Sequence, residues 1–159
     1  MSVHYIVDGY NVIHKMHKLE GKSLQYARDY FLAFLSNARP QGSLQNEVTV
    51  VFDAKGDVFY PWRNPSDIRV IFSSGKSADE EIEILVQKAS NRKRVIVVTD
   101  DKALRFAVSG IGADYISVRE FLQRAKNRSG AKILRKRNKH GLSEEETLNI
   151  TREFENIWL

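Results

Sequence analysis

An α/β fold with a mostly parallel central sheet is what this sequence predicts, and three observations carry it. Short apolar segments at residues 3–7, 48–52, 68–72 and 95–98 alternate with segments whose apolar residues recur at helical spacing. The run Val95–Val98 is apolar at every position, as in a strand covered on both faces. Acids follow the strands one after another: Asp8, Asp53, Asp79, then the pair Asp100 and Asp101. In parallel sheets, sites collect at the carboxyl ends of the strands.

Each element has its own justification. Residues 3–7 make the first strand, which ends on Asp8 and Gly9, with Asn11 three residues after the aspartate. Glycine there permits a close backbone approach or a positive φ. Residues 23–38 form a helix with Leu24, Ala27, Phe31, Phe34, Leu35 and Ala38 on one face, and Pro40 and Gly42 end it. Val48, Val50, Val51 and Phe52 give the second strand. The stretch 54–65 contains glycine, asparagine and two prolines and is read as irregular. Residues 68–72 are the third strand.

Ser77 opens the next helix and forms a capping box with Glu80, each side chain taking the other's backbone N–H; Ala78, Ile82, Leu85, Val86 and Ala89 are its apolar face. After Val95–Val98 come a short helix at 101–109 and a short strand at 114–116. Ser117 with Glu120 opens a helix over 118–126, and Ser143 with Glu146 opens a final helix bearing Leu148, Phe154, Ile157 and Trp158.

With 159 residues the chain is the size of one domain, able to bury a core without staples. Its 42% hydrophobic and 28% charged residues are a globular composition, and no run approaches the roughly 18 apolar residues of a membrane span. The start MSVHYIVDG lacks the features of a secretory signal, and there is no cysteine, so no disulfide framework or thiolate metal site is expected. A cytoplasmic protein with no membrane partner is the expectation.

Charge is unevenly placed. Between residues 126 and 140 stand Lys126, Arg128, Lys132, Arg135, Lys136, Arg137 and Lys139 and no acid, leaving 18 basic against 20 acidic residues elsewhere. A basic stripe on a mildly acidic body suits contact with a phosphate backbone; its plainer role is a solvated surface run.

The acids are the chemistry-bearing set. Right-handed crossovers put the strand ends on one side of the sheet, so that Asp8, Asp79 and Asp101 can converge. Clustered carboxylates repel unless a divalent cation joins them, and hard oxygen ligands suit Mg²⁺ or Mn²⁺, which activates water for phosphodiester hydrolysis. Asn11 is placed to orient Asp8 or hold a water. Each acid also has a structural role open to it: Asp79 favours a helix dipole, Asp100 or Asp101 caps a helix, and Asp53 turns the chain. Other chemistries fit less well. Gly75-Lys76-Ser77 is no P-loop, because Val70 stands where its first glycine belongs. Tyr10 occupies the place of the second acid of a HAD-like phosphatase, and His14 and His17 have no further zinc ligands at suitable spacing.

Five segments in this order and spacing (residues 7–13 VDGYNVI, 50–53 VVFD, 77–83 SADEEIE, 97–101 VVTDD, and 112–113 GA leading to 117–122 SVREFL) resemble the YacP-like branch of the NYN domains, within the PIN-like nucleases. The resemblance spans about residues 3–125. It implies a PIN-like three-layer sandwich and a metal-dependent endoribonuclease using Mg²⁺ or Mn²⁺. Asp8, Asp79 and Asp101 match the family's acids and Asn11 its asparagine, so these four are the expected catalytic residues. The metal ligands would be Asp8, Asp79 and Asp101, with Asp100 and Asp53 as further candidates; relatives often carry Thr-Ser-Asp where this chain has Thr99-Asp100-Asp101. The family includes a bacterial endonuclease that cuts mRNA on the ribosome, which implies mRNA and the ribosome as partners.

The expected organisation is a nuclease domain at 1–125 and a basic segment with a C-terminal helix at 126–159, packed on or extending it. The basic stripe is the expected RNA contact. An alternative is an RNA-binding or ribosome-associated module without catalysis. For the last helix the competing roles are docking on a partner and packing on its own domain. For Tyr60 and Trp62 they are base stacking and folding onto the core.

Overall fold

The computed structural model describes residues 2–54 and 67–128. Five strands, β1 (His4–Asp8), β2 (Glu47–Asp53), β3 (Ile68–Ser73), β4 (Val95–Val98) and β5 (Asp114–Ile116), form one sheet in the order β3-β2-β1-β4-β5. Every pairing in it is parallel. The helices are α1 (Gly9–Lys15), α2 (Leu24–Ala38), α3 (Ala78–Lys88), α4 (Lys102–Ile111) and α5 over residues 118–128. The chain begins on the central strand, works outward to β3, then crosses back beyond β1 to lay down β4 and β5. Strand order therefore reverses between β1 and β4, the switch point at which such sheets form their crevice.

Two-residue alternation sorts each strand between two cores. Tyr5, Val7, Val50, Phe52 and Val98 meet α1, α2 and α5 through Val12, Phe31, Leu35 and Phe121. On the opposite face Ile6, Val51, Val95 and Val97 meet α3 and α4 through Ala78, Ile82, Val86, Leu104 and Val108. The result is the expected α/β/α sandwich. Fully buried side chains of the size of Phe31, Phe52 and Phe121 each contribute about 2 kcal/mol or more, so the aromatic face bearing α1 and α2 is the firmer backing for the site.

Local signals were kept where they were strong. Both halves of the Ser77–Glu80 capping box form, with Ser77 N–H donating to Glu80 Oε2 at 3.0 Å and Glu80 N–H to Ser77 Oγ at 3.2 Å. At α5 the Ser117 hydroxyl accepts from Glu120 N–H at 3.0 Å, but the Glu120 carboxylate takes Arg124 at 2.9 Å instead of turning back. This helix also runs past 126 to residue 128.

The β1–α1 junction departs from the pattern. After Asp8 the chain enters α1 directly, and Val12, Ile13 and Met16 pack inward. Gly9 sits in helical backbone without a positive φ. What it supplies is close approach, because a Cβ there would run into the Phe52 ring and Val50.

Candidate functional site

Residues two apart on a strand share a face, so Asp8 follows Ile6, Asp53 follows Val51 and Thr99 follows Val97 onto the α3/α4 side of the sheet. The polar groups at three adjacent strand ends thus point the same way. Asp79, second residue of α3, is brought over this edge by the Ser77 cap. Asp101 is the N-cap of α4, its Oδ1 accepting from Leu104 N–H at 2.9 Å. An open cleft of roughly 540 Å³ is lined by Asp8, Asn11, Asp53 and Asp79, with Tyr10, His14, Leu24, Ser77 and Ala78.

The acids raise one another's charging cost. Burial, then the Asp79 carboxylate, pushes Asp8 up to about 6; the Thr99 hydroxyl and the Asn11 backbone N–H pull the other way, and Asp101 adds a smaller push upward. Burial followed by Asp101, Glu83 and Asp53 likewise raises Asp79. The charged neighbours acting on both are acids. Such a constellation attracts a hard dication. Its donor chemistry fits Mg²⁺ or Mn²⁺, although among the described residues no three His, Asp or Glu side chains are gathered closely enough to enclose an ion as they stand.

Two links close the switch point. Thr99, fully buried, donates from Oγ1 to Asp8 Oδ2 at 3.3 Å and accepts there from Asp101 N–H at 3.1 Å. Asn11 Oδ1 accepts from Asp100 N–H at 2.8 Å, tying α1 to the exit of β4. Asn11 thus holds the exit of β4 with its side-chain oxygen and bonds Asp8 with its backbone N–H. Nothing in the local sequence around Thr99 marks it as a site residue; its signal is its place two residues beyond Val97, on the face of the acids.

Asp100 faces another way. Its Oδ1 accepts from Val118 N–H at 3.0 Å and from Arg105 at 3.1 Å, and Oδ2 lies 3.8 Å from Lys15 Nζ. Beneath the cleft, the buried Arg28 donates to the Tyr10 hydroxyl at 3.1 Å and lies over the Phe72 ring at 5.5 Å. Of the basic stripe, Lys126 and Arg128 stand exposed on the last described turn of α5. Lys132, Arg135, Lys136, Arg137 and Lys139 lie outside the described residues, as do Tyr60, Trp62 and the helix expected from Ser143.

The family model of the YacP-like NYN domain matches residues 5–157. Two solved structures of Rae1 (YacP) from Bacillus subtilis are similar to the chain. A point-mutant form has a TM-score of 0.70 and 31% identity, covering 93% of this chain and 91% of its own. The other has a TM-score of 0.69 and 28% identity, covering 96% and 90%. Among curated proteins none matches.

Proposed function

Because the chain belongs to the YacP-like NYN domain family, we propose that it is a metal-dependent endoribonuclease that hydrolyses phosphodiester bonds of RNA, with mRNA on the ribosome as the substrate to test first. The observation that carries this is the set of mutually repelling acids, Asp8, Asp79 and Asp101, around the switch-point cleft. In this reading the three carboxylates hold Mg²⁺ or Mn²⁺, with Asp53 at the cleft wall as a further ligand. The ion, when bound, supplies a water of lowered pKa and a positive charge for the phosphate.

The chain's own residues do the rest. Thr99 fixes the rotamer of Asp8 and the start of α4 through one hydroxyl, so two of the acids keep their relation. Asn11 acts as a positioning residue by holding the β4 exit against α1. Asp100, engaged with Arg105 and Val118, braces that exit rather than joining the ligands. The basic stripe from Lys126 to Lys139 holds phosphates on either side of the cut.

A reading without catalysis has one observation in its favour, the commitment of an Asp101 oxygen to capping α4. A single comparison separates the two. Wild type and Asp8→Asn are incubated with free and translated mRNA, with and without Mn²⁺. Cleavage by wild type that requires the ion and vanishes in the variant is expected; equal cleavage by both overturns the assignment.

A further inference from the structure

We propose that the connection from α1 into α2 is a landing platform for single-stranded RNA leading into the acidic cleft, a proposal that rests on the ribonuclease reading above. Tyr26 and Tyr30, four residues apart on α2, stack with centroids 6.3 Å apart and an interplanar angle of 22°. Tyr26 is 49% exposed and its neighbour Leu24 is 52% exposed, a large apolar display for the start of a helix. Lys22 Nζ lies 5.5 Å from the Tyr26 centroid and Lys18 Nζ 5.7 Å from that of Tyr30. The patch is continuous with the cleft, since Leu24 and His14 line it.

Aromatic faces interleaved with cations are what an unpaired strand needs: a base stacks on the exposed Tyr26 ring, backed by the half-buried Tyr30, and its phosphate meets an ammonium. Both lysines are on flexible stems and yield the ring to a base while keeping its phosphate. A duplex hides its bases and has no use for the rings. Among the described residues the other exposed aromatic group, Phe106 and Tyr115 with Arg105 over the latter, has no such continuity with the cleft. Placement also favours the platform: a strand stacked on Tyr26 and passing Leu24 arrives at Asp8 and Asp79 without crossing the sheet.

The test is fluorescence anisotropy of a labelled oligouridine of about a dozen nucleotides, within the span such surfaces cover, bound by the full chain in EDTA. Tyr26→Ala is expected to weaken binding by roughly ten- to a hundredfold and Tyr26→Trp to keep it. Replacing Lys18 and Lys22 by alanine together is expected to lower the slope of log Kd against log salt by about 1.4. Unchanged affinity in Tyr26→Ala, Tyr26→Trp as weak as alanine, or no binding by wild type overturns the platform. A parallel incubation of the wild type with free and translated mRNA in Mn²⁺ keeps the two readings apart. Weakened binding in Tyr26→Ala without cleavage by wild type leaves the platform standing and removes the nuclease, whereas cleavage with undiminished binding does the reverse.

Discussion

Two carboxylate environments lie on either side of one short link, and they have opposite characters. Around Asp8 the charges that matter are negative, and the carboxyl is held near pH 6 by burial and by Asp79. Around Asp100 the neighbours are Arg105, Lys15 and the Val118 N–H, which join α4, α1 and α5 into a bracket. Asp100 and Asp101 are adjacent in sequence, yet one turns to this bracket while the other lies within electrostatic reach of Asp8 and Asp79. An acid completed by protein donors is a structural part. An acid left facing other acids is a cost to the fold, retained where a ligand repays it.

The largest expected effect is on the cleft side. Asp8→Asn should lower RNA cleavage by at least about a hundred- to a thousandfold, the scale at which loss of a charge-stabilising group acts. In EDTA it should nevertheless raise stability at pH 7. The folded carboxyl is pushed up to about 6 from an ordinary 3.8, so ionising it costs the fold on the order of 2–3 kcal/mol. Because the folded state takes up the proton first, the wild type gains stability as pH falls from about 6 towards 4, and the variant lacks that gain. Thermal melts across this window decide it; a variant less stable than wild type at pH 7 would place Asp8 with the structural acids.

Metal sharpens the same contrast. At a hundredfold excess over its Kd, Mn²⁺ should add about 2.7 kcal/mol to wild-type stability. Asp8→Asn and Asp79→Asn should abolish that increment, while an Asp100 variant retains it. Equal stabilisation of all these proteins, followed by calorimetry, would mean that the ion binds elsewhere.

On the bracket side, Asp100→Ala should cost about 2 kcal/mol, since it leaves the Val118 N–H without its acceptor and takes the carboxylate from Arg105, whose Nε keeps Thr99 O. Urea denaturation reports the loss, and a variant as stable as wild type removes the distinction drawn above. Smallest of the four, Ser77→Ala should cost about 1 kcal/mol by opening the cap of α3. Hydrogen exchange should locate the loosening at residues 78–81, just where Asp79 is carried; exchange unchanged there would show that tertiary packing alone holds this helix end.

Much of the fold was legible because its signals are local. Short apolar runs marked the strands, Ser77 with Glu80 marked the start of α3, and Asp114–Ile116 was bounded correctly. The helix after β1 was not foreseen, because no capping residue or apolar face of any length announces its seven residues; the buried trio Val12, Ile13 and Met16 was its signature. The end of α2 also came differently, through Arg39 in left-handed backbone before Pro40 was reached. Within the site, the sequence nominated Asp8, Asn11, Asp79 and Asp101, with Asp53 and Asp100 as further candidates; Asp8, Asn11, Asp53 and Asp79 line one cleft, whereas Asp101 caps α4 and Asp100 turns to Arg105 and Val118.

By itself, then, the sequence determined the alternation of strands and helices, the acids that end β1 and β2 and follow β4, and the caps that start α3 and α5, because period and capping act over a few residues. Tertiary structure alone decided the strand order, and with it the meaning of each acid. Thr99 meets Asp8 across 91 positions of sequence and Asn11 meets Asp100 across 89. No local pattern encodes such pairs. A carboxylate's charge state and role follow from its neighbours in space, and those neighbours are set when the chain crosses from β3 to the far side of β1.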